Sequence, residues 1–249
     1  MIDTHVHLDL LPDGPALLQT AVAQGLTHVV SIGVDPRRSA ALRGVVPDGL
    51  VVVRALGLHP QEAQSEESVD DALTALDEQL RIRADDVVAV GECGLDGRPG
   101  TGSAAVHARA FVGQLALARR HDLPLVLHGV RRDGPLLAAL DEDEVTHGPT
   151  RPVRGVWHGF SSSLDTMKAA VRRGLFISVG FVVLNERARR LREAVPHIPD
   201  DRLVVETDAP PLEPARLRDV IATVAALRGT HPDEIEALTT ANARRLFAL

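Results

Sequence analysis

The chain has 249 residues, 45% of them apolar, enough to bury a full hydrophobic core. A formal net charge of −7 argues against non-specific coating of nucleic acid, and one Trp, no Tyr and five Phe leave few side chains for stacking bases. The lone Cys93 excludes an internal disulfide, no apolar run reaches the roughly 20 residues that cross a bilayer, and Asp3, His5 and His7 interrupt any signal-peptide core, so the expected location is the cytoplasm, with no membrane partner.

In chain order, apolar runs predict strands over 2–7, 28–33, 51–58, 87–92, 124–128, 154–159, 175–180 and 203–207. Helical spacing falls between them over 15–25, 36–44, 68–82, 103–121, 134–141, 163–173 and 186–195, and segments 214–228 and 232–247 close the chain. Pro36 and Pro135 stand near helix starts, where a missing N–H costs little, while Asp122 and Pro124 end one helix and open the next strand. The Gly-rich stretch 94–103 is expected to be a flexible loop after the fourth strand, and 145–152 an exposed connection on the opposite face. Strands alternating with helices predict an α/β fold with a parallel sheet and right-handed crossovers. No linker or repeat divides the sequence, so residues 1–249 read as one domain, close to the roughly 250 residues of a (β/α)8 TIM-type barrel.

Residues able to hold a divalent metal recur at the downstream ends of these runs. They are His5 and His7 in M-I-D-T-H-V-H, Glu92 in V-V-A-V-G-E, His128 in L-P-L-V-L-H, His158 in G-V-W-H and Asp208 in L-V-V-E-T-D. Such ends converge in a closed barrel whose active site lies at the strand C-termini, whereas the first and last strands of an open sheet usually lie apart. Four histidines and two carboxylates exceed one tetrahedral zinc site but suit two metals that share a ligand. H-x-H on a strand turns both imidazoles to one face. The two oxygens of Glu92 suit it as the shared ligand, and a bare carboxylate at the end of a buried strand is costly.

Asp208, followed by the rigid Pro210 and Pro211, is placed to touch a metal and a water, and Glu206 alternates onto the same face. Asp3 reads either as a carboxylate that orients an imidazole or as a strand-end residue, Asp96 as a turn residue, and Cys93 as packing. His59 in A-L-G-L-H-P reads as a donor to a substrate phosphate or as a partner for a loop carbonyl. His28, His107, His121, His147, His197 and His231 read as surface or structural residues. The run R-A-R-R-L-R at 187–192 either steers a polyanion or is a solvated helix face.

The segments D-T-H-V-H-L-D, A-L-G-L-H-P, V-G-E-C-G-L-D, L-V-L-H, V-W-H-G-F-S, V-V-E-T-D-A-P and I-E-A-L-T-T-A-N-A-R-R-L-F span essentially the whole chain. Together they resemble the TatD family of metal-dependent deoxyribonucleases, within the amidohydrolase-like barrels. The resemblance implies His5, His7, Glu92, His128, His158 and Asp208 as metal ligands, with Glu92 bridging. It also implies 3′-exonuclease or endonuclease activity on DNA with Mg²⁺ or Mn²⁺, and Zn²⁺ suits the same imidazole-rich site. Three departures fall at substrate contacts. Gly97 and Arg98 stand where aromatic residues often follow G-L-D, Val130 with Arg131 and Arg132 where an arginine often follows the strand-5 histidine, and P-P-L-E-P-A-R where the family has Arg-x-Asn-x-Pro.

The expected protein is therefore a monomeric metal-dependent hydrolase with two metal ions, cleaving DNA at single strands or 3′ ends. On this reading Asp208 orients or deprotonates the attacking water, and His59 with Arg131 or Arg132 stabilises the added negative charge. The competing expectation is an amidohydrolase or esterase, such as an aminoacyl-tRNA deacylase, because the same metals polarise a carbonyl. A binding subunit that no longer cleaves would have a broken ligand set, and here all the ligands are present.

Overall fold

In the computed structural model, which describes residues 1–37, 46–148 and 152–249, eight short strands pair in sequence order as one parallel sheet. They are β1 (Ile2–Val6), β2 (His28–Ile32), β3 (Val51–Leu56), β4 (Val87–Asp96), β5 (Leu125–Val130), β6 (Gly155–Trp157), β7 (Phe176–Val179) and β8 (Leu203–Val205). The sheet curls until its ends meet: the Asp208 amide donates to the His5 carbonyl and the His7 amide to the Ala209 carbonyl, each at 3.0 Å. This is the expected TIM-type barrel. Among the described residues the α-helices are α1 (Gly14–Ala23), α2 (Glu66–Arg81), α3 (Ala104–His121), α4 (Asp133–His147), α5 (Leu164–Arg172), α6 (Arg189–Ala194), α7 (Leu217–Arg228) and α8 (Pro232–Phe247). The helix expected at 36–44 lies mostly outside the described residues. The connection expected at 145–152 is shorter than that, because Val145–His147 form the last turn of α4, and residues 149–151 are again outside the description.

Alternation sorts the apolar side chains into two layers. Val30, Val53, Ala55, Ala89, Val126, Val156, Phe176 and Val204 fill the barrel interior. Val29, Val90, Leu125, Leu127 and Leu203 pack outward against helix residues such as Leu18, Phe111, Leu136, Met167 and Val220. Ala243, Leu246 and Phe247 of α8 join the interior cluster, so the last helix closes the N-terminal end of the barrel. Asn242 fixes that helix by donating to the carbonyls of Asp200 (2.6 Å) and Leu203 (2.7 Å). Serine N-caps at Ser65, Ser103 and Ser163 start α2, α3 and α5 by accepting from backbone amides one turn on.

Two strands break the alternation, and both carry functional residues. From Asp3 to Val6, β1 advances three residues while β2 advances two, from Val29 to Ser31. From Val90 to Cys93, β4 likewise advances three while β5 advances two, from Leu125 to Leu127. Each extra residue exchanges the two faces downstream of it. Strict alternation from Ala89 would turn Cys93 and Leu95 inward and Glu92 outward; instead Cys93 and Leu95 lie in the outer layer. Beyond the bulge β4 and β5 run so close that a Cβ on Gly94 (φ +146°) would stand 2.0 Å from the His128 carbonyl oxygen, which only glycine avoids.

A buried side chain from α3 pins the end of β3. Gln114 accepts from the Leu58 amide at 2.7 Å and donates to the Leu58 carbonyl at 3.0 Å, satisfying both backbone groups next to His59. Gln114→Leu leaves both unpaired, at roughly 1–3 kcal/mol each. Urea denaturation should show a loss of about 3 kcal/mol; an unchanged midpoint would show that the contact is dispensable.

Candidate metal centre

At the C-terminal rim the interior face turns from apolar to polar. His5 and His7 follow the bulge in β1, Glu92 lies at the bulge in β4, His128 is in β5, His158 follows β6, and Glu206 and Asp208 follow β8. His5, Glu92, His128 and His158 are buried, while His7 and Asp208 keep 12% and 22% of their side chains exposed.

Glu92 stands at the middle. Its Oε2 lies 3.3 Å from His5 Nε2 and 3.6 Å from His7 Nε2. Its Oε1 lies 2.6 Å from both His128 Nδ1 and His158 Nε2. The two oxygens of one carboxylate thus face two separate pairs of imidazoles. Asp208 Oδ1 joins the first pair, at 3.6 Å from His5 and 3.7 Å from His7, whose own Nε2 atoms are 3.2 Å apart. Imidazole nitrogens and carboxylate oxygens converge here, an arrangement suited to a divalent cation.

The titration of these groups has the same cause. Burial pushes the Glu92 carboxyl up, but the surrounding histidines, His158 first, outweigh it and hold the pKa well below 4.5. Burial opposes charge on His158, yet Glu92 and Glu206 raise its pKa well above 6.5. His128 is raised too, because hydrogen bonds to Asp96 and Glu92 overcome its burial. Protonated imidazoles therefore supply the positive charge that a bound cation would replace.

His59 is a member of the ring with a different role. By distance it groups with Glu92 and His128, its Nε2 being 3.6 Å from Glu92 Oε1. Its Nδ1 accepts from the Gln61 amide at 3.1 Å, and burial drives its pKa down to about 3. The neutral ring then carries its proton on Nε2, facing the site, and offers a hydrogen-bond donor there. Its partner is an amide N–H and not the loop carbonyl considered from the sequence.

Three carboxylates behind the ring hold it in place. Asp96, expected in a turn, is instead the last residue of β4, and its Oδ2 lies 3.1 Å from His128 Nε2. Arg98 grips the same carboxylate through Nε (2.9 Å) and its own amide (2.8 Å). With Nε2 so engaged, His128 offers Nδ1 to Glu92. Glu206 accepts from the Gly159 amide and Ser178 Oγ, both at 2.5 Å, and lies 3.3 Å from His158 Nδ1, leaving Nε2 to face Glu92. Asp3 orients no imidazole: it accepts from Thr207 Oγ1 (2.6 Å), the Thr207 amide (3.0 Å) and the His5 amide (3.3 Å), tying β1 to β8, and burial pushes its pKa up to about 7. The signal for Asp96 was present in G-E-C-G-L-D, where Glu92 and Asp96 share a face.

The structure separates the two arginines considered together from the sequence. Arg131 lines a cavity beside Gly129 and Trp157, whereas Arg132 turns into a cleft between α3 and α4 that it shares with Phe111 and Glu142.

A family model described as TatD related DNase matches residues 2–248. An uncharacterized metal-dependent hydrolase TatD of Mycobacterium tuberculosis is 33% identical over 100% of this chain and 98% of its own length. A 3′-5′ ssDNA/RNA exonuclease TatD of Citrobacter koseri is 30% identical over 100% and 99%. The crystal structure of YjjV, a TatD homologue from Escherichia coli K12, is 31% identical and superposes with a TM-score of 0.87 over 100% and 98% of the two chains.

If Asp96 sets the orientation of His128, Asp96→Asn should weaken metal binding by about 10- to 100-fold. Competition with a chelating dye, with folding checked by circular dichroism, measures this. Wild-type affinity in the folded variant would remove Asp96 from the centre.

Proposed function

This chain belongs to the family of TatD-related DNases and is a metal-dependent hydrolase, and we propose that it cleaves the phosphodiester bonds of single-stranded DNA from the 3′ end. The division of Glu92 between two pairs of imidazoles carries the reading, because a binuclear centre needs one shared ligand. The exonuclease named from Citrobacter koseri supports the choice of substrate and direction. Residues 1–249 act as one catalytic domain. His5, His7 and Asp208 would hold one divalent ion and His128 and His158 the other, with Glu92 available to both. Mg²⁺ or Mn²⁺ is the expected metal, and Zn²⁺ fits the same donors. Bound there, the two ions supply Lewis acidity to the phosphoryl oxygens and acidify a water.

The protein's own groups then divide the work. Asp208 is the most exposed carboxylate of the centre, and burial, against the pull of His5 and His158, raises its pKa, which suits it to accept a proton. It takes that proton from the water as oxygen attacks phosphorus in line. The bond from phosphorus to the 3′ oxygen of the preceding nucleotide breaks, that oxygen takes a proton from solvent, and a 5′-mononucleotide leaves. His59 donates its Nε2 proton in a hydrogen bond to a non-bridging oxygen as negative charge accumulates there. Of the two arginines, Arg131 is assigned to the substrate, because it lines the cavity on the ligand-bearing rim, whereas Arg132 lies in the cleft between α3 and α4.

Metal-stripped protein with Mg²⁺, Mn²⁺ or Zn²⁺ restored should shorten a 5′-labelled single-stranded oligonucleotide one nucleotide at a time. Glu92→Ala should lose metal binding and cleavage together, while His59→Ala keeps its metals and loses about 100-fold in turnover. Equal metal loss in both variants would overturn the division of roles. Metal binding without DNA cleavage, together with hydrolysis of aminoacyl-tRNA, would move the activity to a carbonyl substrate.

A further inference from the structure

A cavity of about 540 Å³ opens between the β5–α4 and β6–α5 connections and the first turn of α6. Gly129 and Trp157, which line it, are the chain neighbours of His128 and His158, so it opens on the same C-terminal rim of the barrel as the ligands, although none of the ligands lines it. Arg131 and Arg190 supply guanidinium groups to its walls, and Ser161 and Ser162 supply hydroxyls. Both arginines are exposed, and neither pairs with a carboxylate among the described residues. Elsewhere arginines are held: Arg98 by Asp96, Arg109 by Asp70, Arg119 by Asp143, Arg154 by Asp122 and Arg173 by Asp141. The run at 187–192 therefore divides, since Arg192 donates to the Val183 carbonyl at 2.7 Å while Arg190 faces the cavity.

We propose that this cavity is a subsite for a second phosphate of a nucleic-acid strand, next to the phosphate at the metal centre. The inference rests on the nuclease reading and specifies its substrate. Guanidinium forks and hydroxyls match the geometry of phosphate oxygens. Asp133 is the opposing group on the wall; it accepts from the Ser162 hydroxyl and lies in the first turn of α4, where the helix offsets its charge. Two guanidinium groups against one carboxylate leave the cavity positive inside a chain of net charge −7. Trp157 is 1% exposed and offers no face for stacking, so the subsite reads backbone charge and not base identity. The preferred substrate is an oligonucleotide and not an isolated phosphodiester.

Trp157 is the single tryptophan and lines the cavity, so its fluorescence reports binding there without turnover. Metal-free protein is titrated with tetrathymidylate at several salt concentrations. Arg190→Ala should weaken binding about tenfold and lower the salt slope by about 0.7, the share of one phosphate contact on a single strand. Asp133→Asn should tighten binding, and Arg187→Ala, in the same run but outside the cavity, should change nothing. Arg190→Ala binding like wild type, or Arg187→Ala losing as much, would overturn the subsite.

Turnover on the oligonucleotide and on bis(p-nitrophenyl) phosphate keeps the two readings apart. With the subsite present, Arg190→Ala loses about tenfold more on the oligonucleotide than on the single diester. Wild-type cleavage of both substrates, with Arg190→Ala normal in binding and in that ratio, rejects the subsite and keeps the nuclease. The expected binding pattern without cleavage of either substrate under any metal rejects the nuclease and keeps the subsite.

Discussion

Glu92 places a carboxylate at the barrel axis with 2% of its side chain exposed, and a charge so buried persists only where opposite charge surrounds it. The surroundings meet that need with imidazoles contributed by β1, β5 and the segments after β3 and β6. They approach from four different strands, so the centre is a property of the closed barrel and of no single segment. Closure itself passes through the same residues, since the His5 carbonyl and the His7 and Asp208 amides form the bonds that join β1 to the chain after β8.

Around the imidazoles lies an outer ring of carboxylates. Asp96 backs His128 and Glu206 backs His158, and Arg98, Ser178 and the Gly159 amide hold those carboxylates in turn. The effect is directional. A histidine has two nitrogens, and engaging one of them decides which is left to face the centre. His59 obeys the same logic with the opposite outcome, because an amide N–H on Nδ1 leaves a proton on the nitrogen that faces inward. The groups behind the imidazoles thereby decide which nitrogen of each ring faces the centre.

The acidic surface and the assigned substrate are compatible once charge is considered locally. A net charge of −7 discourages loose association with nucleic acid at large. Positive charge is needed only where phosphate docks, and on the proposed reading cations at Glu92 would supply it, with Arg131 and Arg190 lining the nearby cavity.

Much of this was legible in the linear chain. Apolar runs located the strands, and their polar ends located His5, His7, Glu92, His128, His158 and Asp208, because alternating burial and strand-end chemistry are local properties. Asp96 was misread as a turn residue although its spacing from Glu92 carried the signal. Other features had no local signature. The extra residues in β1 and β4, which exchange inner and outer faces, are defined only by the strand beside each. Strict alternation from Ala89 would have sent Glu92 outward, and the register with β5 brings it in. Likewise Arg131 and Arg132 are neighbours in sequence but enter different cavities. The sequence by itself determined the barrel's strands and the inventory of candidate ligating groups, whereas the tertiary structure alone decided which nitrogen and which oxygen face the centre and which cavity each arginine enters, because those choices depend on pairing register and hydrogen bonds between residues far apart along the chain.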